Sequence, residues 1–171
     1  GPLYFTALVF WLSEASIFTL RLSMAILGIA TVPVAYLLFR LGFGRWVALF
    51  GTAALTLSFW HLHFSRTGFM VVALPLIASM AAVAVLWAMR SRRRWPWLLS
   101  GVFLGAAAYS YSAYPMFLAA VALLLAAYVV LQRDQWRRLL APLGLLLAGL
   151  VAVASPVILF ALHSPDVYFS H

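Results

Sequence analysis

Six apolar runs, each close to the length that crosses the hydrocarbon core of a membrane, follow one another along this chain. They cover residues 17–39, 46–63, 68–89, 95–111, 115–131 and 139–162. With 67% hydrophobic residues and a mean hydropathy of +1.08, the chain is more apolar than a soluble core requires. We therefore predict an all-α integral membrane protein with about six transmembrane helices.

Arginines occupy alternate gaps between these runs. Nine of the eleven basic residues lie in three gaps, at 40–45, 90–94 and 132–138. Basic residues are enriched in cytoplasmic loops, so these gaps are predicted to face the cytoplasm. The remaining segments then share the extracytoplasmic face; they are the N-terminus, the loops at 61–67 and 109–114, and the tail at 163–171. Charges confined to membrane edges argue against nucleic-acid binding.

The two ends of the chain predict further features. Residues 1–12 are apolar and aromatic but too short to span, which favours a short helix in the membrane interface. Ser13 and Glu14 predict the start of the first span, with Ser13 as its cap. The chain starts at Gly1 without methionine and stops in a polar segment at His171. We expect one transmembrane bundle over residues 1–171, within a larger membrane domain that adds a first span, a first outer loop and a C-terminal part.

Two arginines lie outside the arginine-rich gaps. Arg66 is either a solvated charge that contacts anionic lipid or a phosphate ligand, with Ser65 and Thr67 beside it. Either hydroxyl could also cap the third span and direct its amide groups at the same anion. Arg21, about one turn inside the first span, either snorkels to the headgroups or binds a phosphate from within the outer leaflet.

Histidines and tyrosines complete the polar groups of the predicted outer face. His61 and His63 are candidate substrate ligands; their spacing also suits a divalent metal, whereas interfacial histidines commonly bond headgroups or water. No cofactor other than such a metal is indicated. Tyr109, Tyr111 and Tyr114 form either an aromatic belt or a surface that stacks on a sugar ring.

Small residues at four-residue spacing occur in the fourth run. Gly101 and Gly105 form a small-xxx-small pattern that Ala108 extends. Such a pattern fits close packing of helices in membranes, and it also arises by chance in a run rich in alanine and glycine.

The order of several short motifs resembles one family of membrane enzymes. The motifs are Gly1-Pro2-Leu3-Tyr4, then Trp11, then Leu20-Arg21-Leu22-Ser23 with Gly28, then Phe64-Ser65-Arg66-Thr67-Gly68-Phe69, Leu74-Pro75-Leu76, and the segment from Gly105 to Tyr111. Together they resemble the family-39-type glycosyltransferases, which include protein O-mannosyltransferases and bacterial lipid A aminoarabinose transferases. The resemblance covers nearly all of the chain.

This resemblance implies a fold of the GT-C type and a sugar transfer on the extracytoplasmic side of the membrane. The implied donor is a sugar linked to polyprenyl phosphate, the implied location a bacterial plasma membrane, and the acceptor is unspecified. Arg21 matches the arginine at the start of the family's span, and Arg66 matches the Ser-Arg position of bacterial members. The catalytic aspartate of the family is expected upstream of Gly1, so residues 1–171 alone are predicted to be inactive.

Two departures from the family pattern weaken the phosphate assignment. Tyr114-Pro115 stands where relatives carry an arginine after Tyr-x-Tyr, and Met70 stands where they carry one after Gly-Phe. Two other classes stay open: a transporter or flippase, and a non-catalytic membrane scaffold. A transporter usually needs polar or ionisable groups in mid-membrane, and the apolar runs hold almost none.

Overall fold

The computed structural model describes residues 2–12, 16–67, 70–91, 93–109, 114–132 and 136–163. All regular secondary structure in these ranges is helical. The α-helices are α1 (Pro2–Leu12), α2 (Ile17–Phe43), α3 (Arg45–Leu57), α4 (Phe59–Thr67), α5 (Ala73–Arg90), α6 (Trp95–Ala107), α7 (Tyr114–Leu131) and α8 (Trp136–His163). A short 3-10 turn, Met70–Val72, precedes α5.

Four of these helices, α2, α5, α7 and α8, are long and apolar enough to cross a membrane. The bent pair α3 and α4 supplies a fifth crossing if it forms one span. Large apolar side chains cover the outside of the bundle, as lipid contact requires; Leu131 of α7, for instance, is 84% exposed. The predicted all-α multi-pass membrane protein is therefore confirmed.

The fourth run forms a shorter helix than predicted. Helix α6 has 13 residues, so it is roughly 20 Å long, against about 30 Å for the hydrocarbon core. Two non-helical turn residues, Ala108 and Tyr109, follow it.

Helix α2 starts one turn later than the predicted cap. Its N-cap is Ser16, whose hydroxyl accepts from the Thr19 amide at 3.1 Å. Ser13 and Glu14 lie outside the described residues. The N-cap hydroxyl satisfies an amide that lacks a partner in the first turn, which is why the helix starts there.

The second run is broken at Ser58. Helices α3 and α4 meet there at an angle of 51°. Ser58 is extended, with φ −66° and ψ 134°, and its hydroxyl accepts from the His61 amide at 3.2 Å. The same residue thus ends α3 and caps α4, because an extended residue cannot continue the helix while its side chain satisfies the next one.

Residues 61–67 are therefore helical, and the prediction of a loop there was wrong. Two stacked pairs at i,i+4 spacing run along α4: Phe59 with His63 at 5.4 Å between ring centroids, and Trp60 with Phe64 at 5.6 Å. The predicted capping of the third span by Ser65 or Thr67 was also wrong. Both hydroxyls donate to carbonyls within α4, and the residue before α5 is Val72, which has no side-chain cap.

Contacts between helices bring the arginine-rich connections to one end of the bundle. Arg40 near the end of α2 shares a groove with Trp87 near the end of α5. Trp87 in turn meets Trp95 at the start of α6, with 4.6 Å between ring centroids. The Tyr128 hydroxyl, near the end of α7, donates to the Met89 carbonyl of α5 at 3.4 Å. Helices α2, α5 and α7 therefore end together, at what we call the arginine end.

The core lies between α5, α6, α7 and α8. Its buried apolar side chains are Ala81, Val85, Ala88, Trp97, Leu104, Val121 and Leu146. Helices α6 and α8 approach most closely where Gly101 and Gly105 lie. A Cβ at Gly101 would lie 2.0 Å from the Leu146 carbonyl oxygen, and one at Gly105 would lie 2.8 Å from that of Leu150. The small-xxx-small pattern is thus a packing device, since only glycine permits this backbone contact.

Candidate functional site

A groove between α2 and α4 brings together two of the sequence-predicted site residues, His61 and Arg66. Its volume is about 250 Å³. The lining residues are Ala25, Gly28, Ile29 and Val32 of α2, Thr56 of α3, and His61, Leu62, Ser65 and Arg66 of α4. The break at Ser58 sets the direction of α4, so it determines which α4 side chains reach α2.

Gly28 allows α4 to approach α2. A Cβ at Gly28 would lie 2.7 Å from the Ser65 Cβ, closer than side chains tolerate. The His61 Nε2 lies 3.2 Å from the Gly28 carbonyl oxygen. A carbonyl only accepts, so Nε2 is the protonated nitrogen of this contact. The Ser65 hydroxyl donates to the His61 carbonyl. Together these contacts hold one face of α4 against α2.

Arg66 lines the groove and is exposed. Arg21 is exposed as well, and it lies seven residues before Gly28 on α2. At 3.6 residues per turn, Arg21, Ala25, Gly28 and Val32 share one face of the helix, with Arg21 roughly 10 Å beyond Gly28 along the axis. The structure thus places a second guanidinium on the α2 face that forms the groove.

Neither guanidinium has a hydrogen-bond partner among the described residues, where no carboxylate side chain occurs. The chain as a whole has eleven basic and three acidic side chains, so eight positive charges are in excess. Arginine presents a planar fork of donors that matches phosphate oxygens. A groove that is apolar along α2 and bears such a fork suits a ligand with a phosphate and a hydrocarbon part.

His63 does not join His61 in the groove. The two residues are two positions apart on α4, which separates their side chains by about 200° around the helix. His63 is exposed and stacks on Phe59, on the side away from the groove. One metal ion therefore cannot bind both rings in this conformation. No group of three His, Asp or Glu side chains suited to a metal occurs in the described ranges.

Tyr109 and Tyr114, the predicted tyrosines that lie within the described residues, do not line the groove. The Tyr109 hydroxyl donates to the Val153 carbonyl of α8 at 2.8 Å, which ties the end of α6 to α8. Tyr114 is the first residue of α7 and is half-buried. Tyr111 lies outside the described residues.

Gly28 and Thr56 are among the lining residues of the groove that had no role assigned from the sequence. Gly28 belongs to the motif that carries the family resemblance, but nothing in the sequence pairs it with Ser65 of another helix. Thr56 is two residues before the break at Ser58, and its hydroxyl donates to the Thr52 carbonyl at 2.8 Å. The presence of a small residue on each helix, Gly28 on α2 and Ser65 on α4, is the one sequence signal that could have suggested their contact.

A family model described as dolichyl-phosphate-mannose-protein mannosyltransferase matches residues 1–160. The chain belongs to this family. It is accordingly a membrane glycosyltransferase of the GT-C type, as the motifs of the first helices predicted. Neither the curated proteins nor the solved structures give a match. Membership in a transferase family favours the enzyme over the transporter and scaffold alternatives.

Proposed function

We propose that the α2–α4 groove binds the phosphate of a polyprenyl-phosphate-linked sugar, and that the sugar is transferred on the extracytoplasmic side. The observation that carries the proposal is a pair of arginines. Arg66 of α4 lines the groove, and Arg21 lies on the face of α2 that forms it. Neither has a carboxylate partner in the described ranges. The family supports a lipid-linked sugar donor. The apolar side chains of α2 suit the polyprenyl chain.

The arginines act on the leaving group in this proposal. The acceptor oxygen forms a bond to the anomeric carbon while the bond from that carbon to the phosphate oxygen breaks. The electron pair leaves with the polyprenyl phosphate, whose negative charge increases. Guanidinium groups already in place stabilise this charge more strongly in the transition state than in the bound donor, which raises kcat.

The acceptor proton needs a base, which the described residues do not supply. We assign this role to a carboxylate outside the described residues, because deprotonation of a hydroxyl is a usual role for a carboxylate. Attack on the face opposite the phosphate gives inversion at the anomeric carbon. The tyrosines that the sequence analysis assigned to the sugar would act at the end of α6 and the start of α7, beyond the groove itself.

His61 has a positioning role in this proposal. Its ring bonds the Gly28 carbonyl, so it holds α4 at the distance that brings Arg66 over α2. His63 faces away, and we assign it to the membrane interface with its stacked partner Phe59.

Sidedness follows from the distribution of charge. Arg40 and Arg90 end helices at the arginine end, and positively charged ends are retained in the cytoplasm. Arg21, near the start of α2, belongs to the opposite end of that helix. In this proposal the groove opens toward the extracytoplasmic leaflet of a plasma membrane, and the motif resemblance to bacterial members favours a bacterial one.

The test is turnover by the full-length protein, reconstituted in vesicles and supplied with a polyprenyl-phosphate-linked sugar. Hydrogen bonds to charged groups contribute about 1.5–3 kcal/mol, so Arg66→Gln and Arg21→Gln should each lower kcat/KM about 10- to 100-fold. Arg45→Gln, which removes an exposed arginine from the other end of the bundle, is the matched control. Unchanged turnover in Arg21→Ala would remove that residue from the mechanism, and unchanged turnover in both arginine variants would refute the groove.

A further inference from the structure

A second and larger groove lies between α2 and α5, at the arginine end of the bundle. Its volume is about 560 Å³. It is lined by Leu37, Arg40 and Leu41 of α2 and by Val83 and Trp87 of α5. It shares no lining residue with the α2–α4 groove.

The lining changes character along the helix axes. Leu37 and Val83 lie deeper in the bundle, whereas Arg40 and Trp87 lie one turn closer to the helix ends. Leu37 is 47% and Trp87 39% exposed, so the groove is open on the lipid-facing side. An apolar floor that ends in an arginine and a tryptophan has the polarity gradient of a phospholipid, from acyl chain to headgroup.

The charge of Arg40 has no counterpart within the described residues. Its guanidinium has no hydrogen-bond partner there, and all three acidic residues of the chain lie outside these ranges. Arg45 follows on the same edge, where it lies over the Trp46 ring at 6.0 Å from the ring centroid. Arg45 does not line the groove. The charge at the groove mouth therefore calls for an anion from outside the described residues.

We propose that this α2–α5 groove is a binding site for an anionic phospholipid. Arg40 binds the phosphate, an acyl chain lies over Leu37 and Val83, and the Trp87 ring borders the glycerol region. A soluble phosphate would leave the apolar floor in contact with water, and a zwitterionic lipid would bring its own cation to the arginine. An anionic lipid matches both the floor and the charge.

The test uses quenching of tryptophan fluorescence by brominated lipids in the full chain, reconstituted in nanodiscs of phosphatidylcholine. The contribution of Trp87 is obtained by difference from Trp87→Phe, because the chain has seven tryptophans. Brominated phosphatidylglycerol should quench this contribution at a lower mole fraction than brominated phosphatidylcholine. Arg40→Gln should weaken the phosphatidylglycerol effect about fivefold, the change expected from one basic group near a charged headgroup.

Two variants separate a site from general attraction to charge. Arg45→Gln removes an equal charge from the same edge and should leave the quenching unchanged. Val83→Trp in the Trp87→Phe background fills the floor of the groove, so quenching of the new tryptophan should show no preference for brominated phosphatidylglycerol over brominated phosphatidylcholine.

Four outcomes would overturn the proposal. Equal losses in Arg40→Gln and Arg45→Gln would mean attraction to surface charge alone. Equal quenching of Trp87 by the two lipids would mean an apolar contact without headgroup recognition. Protection of Trp87 from quenching by soluble glycerol phosphate would mean a site for a free phosphate. Absence of any quenching of Trp87 would mean that another segment of protein covers the groove.

Discussion

Replacing Gly28 by alanine tests whether the contact between α2 and α4 is as close as the structure places it. The added Cβ would lie 2.7 Å from the Ser65 Cβ and 3.2 Å from its hydroxyl oxygen. The next atom, a Val72 methyl carbon, would be at 3.7 Å, an ordinary contact. Only Ser65 therefore opposes the substitution, and its Cβ cannot move unless α4 moves.

The size of the effect follows from this geometry. Overpacking of a tight contact costs about 1–3 kcal/mol, and we expect Gly28→Ala to destabilise the protein by that amount. In a Ser65→Gly background the obstructing Cβ and hydroxyl are both absent, so the cost of Gly28→Ala should vanish. In a Ser65→Ala background the Cβ remains, so the cost should persist. The coupling between Gly28 and Ser65 should be about 0.5–3 kcal/mol.

The assay is reversible unfolding in mixed micelles, followed by circular dichroism, for each single variant and each pair. Glycine in a helix costs roughly 0.5–1 kcal/mol of stability relative to alanine. Each double variant is therefore compared with the single Ser65 variant that it contains. Binding of polyprenyl phosphate to the full-length protein is measured in parallel. Since Arg66 follows Ser65 on α4, affinity should fall in Gly28→Ala and recover with Ser65→Gly but not with Ser65→Ala.

Equal rescue by Ser65→Gly and Ser65→Ala would refute the reasoning, because the hydroxyl rather than the Cβ would then be the obstacle. A harmless Gly28→Ala would refute the close approach itself. If Ser65→Gly restored the stability of Gly28→Ala but not the binding of polyprenyl phosphate, the close contact of α2 and α4 would be supported and the proposed role of the groove contradicted.

Three further predictions concern other parts of the bundle. Gly101→Ala places a Cβ 2.0 Å from a carbonyl oxygen of α8, and it should lower the free energy of unfolding by about 3 kcal/mol or more. Gly144→Ala is the control, because a Cβ there meets nothing within 4 Å. It should be neutral or slightly stabilising in the same unfolding assay. Tyr109→Phe removes a hydrogen bond between α6 and α8 and should lower stability by about 0.6 kcal/mol, the average for such bonds in membrane proteins; a change below the error of the assay would show that the bond contributes nothing. The chain has no cysteine, so His63→Cys and Arg94→Cys can each be labelled in sealed vesicles. An impermeant thiol reagent should reach the two cysteines from opposite sides of the membrane. Labelling of both cysteines from the same side would overturn the proposed topology.

The membrane class and the transferase family were readable from the sequence because each depends on local patterns. Apolar runs of about 20 residues have few soluble alternatives, and the order of the motifs around Arg21 and Arg66 matches the family that was found. The arginine-rich gaps predicted a common edge, and the contacts of Trp87 and Tyr128 do bring those helix ends together.

The composition of the site was only partly predictable. His61 and Arg66 line one groove, as expected of neighbours in one segment, but His63 turns away because the segment is a helix and not a loop. Polarity suggested a loop at 61–67, whereas Ser58 caps a helix there that its aromatic pairs stabilise. Tyr109 was predicted either to belong to an aromatic belt or to stack on a sugar, and the structure adds a contact that the sequence did not predict, from its hydroxyl to the α8 backbone.

Hydropathy and charge act on each segment separately, so the sequence predicts that this chain enters a membrane as helices and which helix ends carry positive charge. Which surfaces touch depends on the angle and direction of two helices at once. Gly28 meets Ser65, and Gly101 meets the backbone of α8, because helices pack in lipid by close contact of their surfaces and not by hydrophobic burial. A pattern within one helix, such as the one at Gly101 and Gly105, predicts close packing but does not identify the partner helix.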